Sequence, residues 1–281
     1  MSDLDSLGPD AAVRQSLERA VAALGPGGPL PVVVGSDAYA TLLDNWIAHV
    51  HALGITRFLV VAMDEALANR LSGRSIVVAT AHFDGSETDF WLRRMLIWRC
   101  LSEMGVDIVQ SDIDAIWLRD PVPEFFADQP FDLLCTQGTF HPFDTASAWG
   151  FVLCTGLMGI RAGAASVRFF DAFAQRHRQI LETDDQVVMN HVLDETGLRW
   201  ETAGMQREMV DFDGSQFATY ASMLTGFSIP LGMRVGLLPY KLFPRLPMAT
   251  GAPFVKHLLR PEDDAYRIAE LRAEGCWLLG P

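Results

Sequence analysis

No stretch of this 281-residue chain approaches the ~20 consecutive apolar residues of a membrane-spanning helix, so no span is expected. The first 25 residues lack a basic segment followed by an apolar one. No secretory signal is therefore expected, and the chain reads as cytoplasmic. Cysteine is scarce: Cys100, Cys135, Cys154 and Cys276 are scattered and form no Cys-x-x-Cys. That argues against a zinc site or redox pair and for buried free thiols. Basic residues are outnumbered, 22 against 35 acidic, for a net charge of −13. A nucleic-acid backbone needs a basic footprint, so nucleic acid is not the expected partner. Gly-x-Gly-x-x-Gly is missing from the first strand–helix turn, which argues against a dinucleotide site.

What is present is apolar and periodic. Hydrophobic residues make up 49% of the chain, enough for one large α/β domain with a small appendage. Residues 1–29 read as the appendage: an amphipathic helix with Val13, Leu17, Ala20, Val21 and Leu24 on one side, then a Gly/Pro joint at 25–29, the helix packing back on the domain. Residues 30–281 read as a single domain. Apolar runs at 32–34, 58–62, 76–79, 106–109, 131–135 and 151–160 predict strands. Helical spacing predicts helices over 41–53, 89–104 and 164–181, and another from Asp185 onward with Asp184 as its N-cap. This alternation implies a mostly parallel sheet with right-handed crossovers. Residues 141–149 read as an irregular loop. Beyond residue 200 the chain reads as loop-rich, punctuated by Pro230, Pro239, Pro244, Pro247 and Pro253.

The densest chemical signal is Ser111-Asp112-Ile113-Asp114-Ala115-Ile116-Trp117-Leu118-Arg119-Asp120-Pro121. Asp112 and Asp114 follow an apolar strand and precede a second short apolar run. Carboxylates held between buried segments are costly unless paired or metal-bound. At the C-terminal edge of an α/β sheet they stand where ligands bind, and hard oxygen ligands suit Mg²⁺ or Mn²⁺ better than zinc. A second Asp-x-Asp, Asp211-Phe212-Asp213, has no comparable strand before it and ranks well below the first.

This block resembles the signature of the nucleotide-diphospho-sugar transferase family, glycosyltransferases of the GT-A fold that include the plant rhamnogalacturonan xylosyltransferases. The likeness extends over roughly residues 32 to 278, through Tyr39 to Asp64 upstream and Thr155-Gly156, Asp185-Gln186 with Asn190, His257 and Gly275-Cys276-Trp277 downstream. It implies an α/β GT-A-type (Rossmann-like) sheet flanked by helices, and a metal-dependent transfer of a sugar from a nucleotide-diphospho-sugar, a UDP-sugar by the same likeness, to a hydroxyl acceptor with retention. It implies Asp112, Asp114 and His257 as ligands of Mn²⁺ or Mg²⁺, with the imidazole favouring Mn²⁺. Arg94 (where the family has Lys), Ser111, Asp112, Ile113, Thr155, Gly156 and Lys256 would meet the donor, and Asp185 and Gln186 would face the reacting sugar. Arg260 and Arg267 are further local cations for the diphosphate. Cys154 stands where the family has a donor-facing Asn. Two alternatives stay open: a haloacid-dehalogenase-like phosphatase, in which Asp-x-Asp supplies nucleophile and acid, and an inactive sugar-nucleotide-binding module.

Overall fold

Short β-branched runs form the spine of the molecule, seen here in a computed structural model that describes residues 11–126, 130–180, 184–212, 215–245, 252–258 and 263–280. Asp213, Pro247 and Arg260 lie outside the described residues. After helix α1 (Ala11–Leu24) the chain lays down β1 (Leu30–Gly35), α2 (Ala40–Ala52), β2 (Leu59–Ala62), α3 (Glu65–Leu71), β3 (Val77–Thr80), α4 (Glu87–Glu103) and β4 (Ile108–Ser111). The middle holds β5 (Ala115–Trp117), α5 (Val122–Phe126), β6 (Leu133–Gln137), α6 (Phe143–Trp149), β7 (Leu153–Ile160), α7 (Ala164–Ile180) and α8 (Asp185–Glu195). The last part carries β8 (Arg199–Glu201), β9 (Arg207–Phe212), β10 (Ser215–Tyr220), β11 (Leu224–Ser228), β12 (Met233–Leu237), β13 (Val255–His257) and α9 (Asp264–Ala273).

A nine-stranded mixed, mostly parallel sheet runs in the order β3-β2-β1-β4-β7-β6-β12-β11-β8. Only β7 and β11 run against the others. Side chains alternate across its faces, as a pleated strand demands. Val32, Val34, Leu59 and Val61 enter one core with α1, α4 and α7, while Val33, Val60 and Ala62 enter the other with α2 and α9. The chain winds from β1 out to β3 and then returns to β4 on the far side of β1. That reversal between β1 and β4 is a topological switch point, and the crevice at the C-terminal ends of such strands is the usual ligand position in sheets of this kind.

Two local features aim the chain into this crevice. Beside β7, the register of β6 jumps: Cys135 pairs with Met158 but Thr136 pairs with Cys154. Thr155, Gly156 and Leu157 are thus extra residues bulged out of that ladder, and a bulge re-aims its side chains. Second, β5 and β13 form a small antiparallel ribbon, with His257 opposite Ala115. It ties the C-terminal segment to the chain just after Asp114.

Residues 141–149 are not an irregular loop: α6 occupies Phe143–Trp149 and stops at Gly150, whose φ of 85° is left-handed. In the C-terminal part, β8, β11 and β12 extend the sheet and β9 and β10 pair separately, with the connections between them. Helix α1 is packed rather than free, burying Val13, Leu17 and Ala20 and bonding Ser16 to Thr80 across to β3. No described helix is long and apolar enough to cross a membrane.

Candidate functional site

Helix α4 enters the site from one side. It is buried on nearly every face, and its Arg94 is only 4% exposed. Such a charge must be paired. Arg94 donates from Nε to Asp185 Oδ2 at 2.8 Å and from Nη1 to Asp112 Oδ1 at 2.5 Å, and its guanidinium lies over the ring of Trp91. Thr155 Oγ1 donates to the other oxygen of Asp185 at 2.9 Å. Burial lifts the Asp185 carboxyl to about 6, with Asp184 and Asp112 adding repulsion that Arg94 only partly offsets. For Arg94 the two carboxylates outweigh burial and hold its proton more tightly than usual. Asp184, not Asp185, caps α8, accepting from the backbone N–H of Gln186 at 2.7 Å.

At the crevice mouth, Asp112 is the first residue past β4, and its N–H donates to Gly156 O. Asp112, Asp114 and His257 offer ligand atoms that all lie within 4.8 Å of one another. His257 Nε2 is 3.5 Å from Asp114 Oδ1 and 3.7 Å from Asp112 Oδ2. These separations suit three ligands gathered round one small divalent ion with bonds of about 2.1 Å. The space between them is kept by Gly156: a β-carbon there would collide with Asp112 Oδ2 and His257 Cε1 and lie 2.9 Å from His257 Nε2. Burial works to raise the Asp114 carboxyl, but hydrogen bonding and charge from His257, with Arg267 and Arg245 beyond, bring it below the usual range. Burial and Arg245 press the His257 imidazole down, yet Cys154 and Asp114 outweigh them and lift it to about 9.

Other expected site residues are placed differently. Ser111 is fully buried, and its hydroxyl accepts from the indoles of Trp46 and Trp117 at 3.0 and 3.1 Å while donating to Asp112 O, so it braces the motif from behind. Lys256 is on the opposite face of β13 from His257, as strand alternation requires, and its amine pairs with Glu274 at 2.8 Å and Glu270 at 3.9 Å on α9. Its charge is thus engaged on α9, on the side of β13 away from His257. Ile113 faces the end of β1, where a β-carbon on Gly35 would lie 3.8 Å from it. Gln186 is half-buried and donates from its amide to His141 O at 2.8 Å. Arg267 is on α9 near the ring of Tyr39.

Sequence reasoning missed Arg245. It donates to Cys154 Sγ at 2.8 Å and to Leu258 O at 2.8 Å. Burial works to raise the Cys154 thiol, but Arg245 and His257 bring it below the ordinary range. The one available signal was Cys154 itself, standing where the family has Asn.

The comparisons bear on the family and the fold. Arabinosyltransferase XEG113 from Arabidopsis thaliana is 23% identical over 228 residues, 75% of this chain but 33% of that protein. The chain thus spans about a third of that relative's length. The solved structure of the galactosyltransferase LgtC in complex with donor and acceptor sugar analogs matches 89% of this chain and 97% of its own. Its TM-score is 0.50 at 14% identity, a likeness of fold. The profile of the nucleotide-diphospho-sugar transferase family matches residues 53–267, most of the chain, and displaces the phosphatase alternative. The chain therefore belongs to the nucleotide-diphospho-sugar transferase family and has the GT-A fold.

Proposed function

We propose that the protein transfers a sugar from a nucleotide-diphospho-sugar to a hydroxyl acceptor, with retention, using Mn²⁺ (or Mg²⁺) held by Asp112, Asp114 and His257. The observation that carries this reading is the convergence of those three ligand atoms round the gap left by Gly156, in the β1/β4 crevice. Two carboxylates and one imidazole fit a hard divalent cation, with the nitrogen favouring Mn²⁺. When bound, such an ion neutralises charge that builds on the departing nucleoside diphosphate, as a Lewis acid.

The chain's own residues then have distinct tasks. Asp112 and Asp114 supply the ligand charge. Arg94 fixes Asp112 through one nitrogen and leaves its Oδ2, the atom nearer His257, for the ion. Asp185, tied to Arg94 and Thr155, holds the bulge against α8. Both of its oxygens are engaged and the side chain is buried, so no nucleophile is assigned to it, and front-face attack by the acceptor is the reading of retention adopted. Gln186, less buried, is the neighbour able to turn an amide toward the sugar. The four cysteines are buried and unpaired, which suits a reducing, cytoplasmic setting.

The relatives are named for different sugars, so the donor is found by a panel. Nucleoside-diphosphate release is measured from UDP- and GDP-sugars, with and without Mn²⁺, for wild type and Asp114→Asn. The expected result is Mn²⁺-dependent release with at least one donor and its loss in the variant. Release that ignores both metal and mutation overturns the metal assignment, and no release from any donor favours a binding module.

A further inference from the structure

A metal-binding imidazole uses one ring nitrogen for the ion, so the other carries a proton and needs an acceptor. In His257 the nitrogen toward Asp112 and Asp114 is Nε2. The group beside Nδ1 is the sulfur of Cys154, 4.0 Å away. The same sulfur meets two other groups that can only donate: the Arg245 guanidinium at 2.8 Å and the backbone N–H of Gly156 at 3.4 Å. Three donors converge on one acceptor atom. The arrangement is buried, with Cys154 2% and His257 6% exposed, so water does not substitute freely.

We propose that Cys154 is a positioning residue: its sulfur accepts from His257 Nδ1–H, Arg245 and the Gly156 amide, and so locks the imaginary line from the imidazole Nε2 to the metal gap. This rests on the metal-site reading above. The geometry explains why three separate segments meet here. Cys154 belongs to β7, at the start of the bulge that puts Gly156 in the gap. His257 ends β13. Arg245 spans both, since its other nitrogen donates to Leu258 O, one residue past His257. The sulfur is thus the pin between the strand that clears the gap and the strand that supplies the third ligand. Sulfur is large and a weak acceptor, and it works here because one donor is a full cation, which strengthens its bond. The Cys in the Asn place therefore does not face the donor sugar; its task is on the far side of the metal ligand.

The test is a double-mutant cycle read by Mn²⁺ affinity, using calorimetry and the electron paramagnetic resonance signal of free Mn²⁺, on the full chain without substrate. Removing an outer partner of a metal-ligating His typically weakens binding about 10- to 100-fold. Cys154→Ala is expected to fall in that range. Cys154→Ser, which keeps an acceptor, is expected to recover most of the loss. In a His257→Ala background, Cys154→Ala should have no further effect, because groups that act through one another are not additive. Thermal melting of each metal-free variant checks folding. Full wild-type affinity in Cys154→Ala overturns the proposal, as does an equal loss in the presence and absence of His257. If Cys154→Ala does not fold, the Ser variant and Arg245→Gln carry the same cycle. Should His257→Ala alone leave Mn²⁺ affinity unchanged, it is the metal-site reading that fails, an outcome separate from failure of the sulfur contact.

Discussion

A methyl group at position 156 would collide with Asp112 and His257, two of the three proposed metal ligands, and this makes Gly156 the sharpest single-residue test of the site. Its neighbours there are Asp112 Oδ2 and the Cε1 and Nε2 of His257, so these side chains would have to swing away to admit it. Gly156→Ala is expected to weaken Mn²⁺ binding at least tenfold in calorimetry while the metal-free protein still melts cooperatively. Unchanged affinity would mean the ion sits elsewhere. Asp112 and Asp114 were legible in the sequence because a paired-carboxylate motif after a strand has few inexpensive structural uses. His257 was legible only by its order in the chain, through the family likeness. The partners of Lys256 and Ser111 were not legible for a physical reason: which face a strand residue takes depends on register, and register is a property of the partner strand. Cys154 was noticed as a departure, but its contact with Arg245 joins residues 91 apart in the chain and left no local trace.

Elements were more legible than faces. The strands predicted at 32–34, 58–62 and 151–160 match β1, β2 and β7 to within two residues. The strand before the motif lies two residues later than its apolar run, at Ile108–Ser111. Gln110 and Ser111 are polar residues beyond that run. Both are fully buried, and indoles meet their oxygens: Trp98 donates to Gln110, and Trp46 and Trp117 donate to Ser111. Helix α6 was hidden because its seven residues show no apolar stripe, Phe143 being 62% exposed. The start of α8 was legible, and its two aspartates divide the work between cap and buried ion pair. Asp184→Ala is expected to cost ~0.5–2 kcal/mol, the usual loss of an N-cap, and to spare Mn²⁺ binding. Asp185→Asn leaves Arg94 buried with one carboxylate instead of two, and removing a partner from a buried pair costs ~3 kcal/mol or more. Urea unfolding of both variants decides; a larger loss for Asp184→Ala would reverse the division.

Across the whole molecule, α1 and the metal gap are stability questions. Helix α1 read from sequence as an appendage that packs back on the domain, and Leu17 is fully buried in the sheet's core. We expect Leu17→Ala to cost ~2–5 kcal/mol in urea unfolding, as for a core leucine; a negligible change would mark α1 as independent. Two groups whose folded pKa values are raised, His257 and Asp185, act on the pH response of the full chain beside the lowered Asp114 and Cys154. For His257 the folded value is about 9, against ~6.5 unfolded. Its stabilising contribution to the metal-free protein is complete below ~6.5 and is lost as pH rises through about 9. For Asp185, raised to about 6, the folded state holds the proton more tightly than the unfolded chain. Its contribution therefore also falls as pH rises, between ~3.9 and about 6, and is flat above. Metal reverses the His257 trend, because only the neutral imidazole binds and binding releases a proton. Mn²⁺ at a hundredfold excess over Kd adds about 2.7 kcal/mol, and with total Mn²⁺ fixed this increment should grow from pH ~6 up to about 9 as Kd falls. Melting temperatures with and without Mn²⁺ at four pH values in that range measure it directly. The metal-free curve should fall while the metal-dependent increment rises, and His257→Ala should flatten both. An increment independent of pH would remove the imidazole from the ligand set and leave the two aspartates to hold the ion alone.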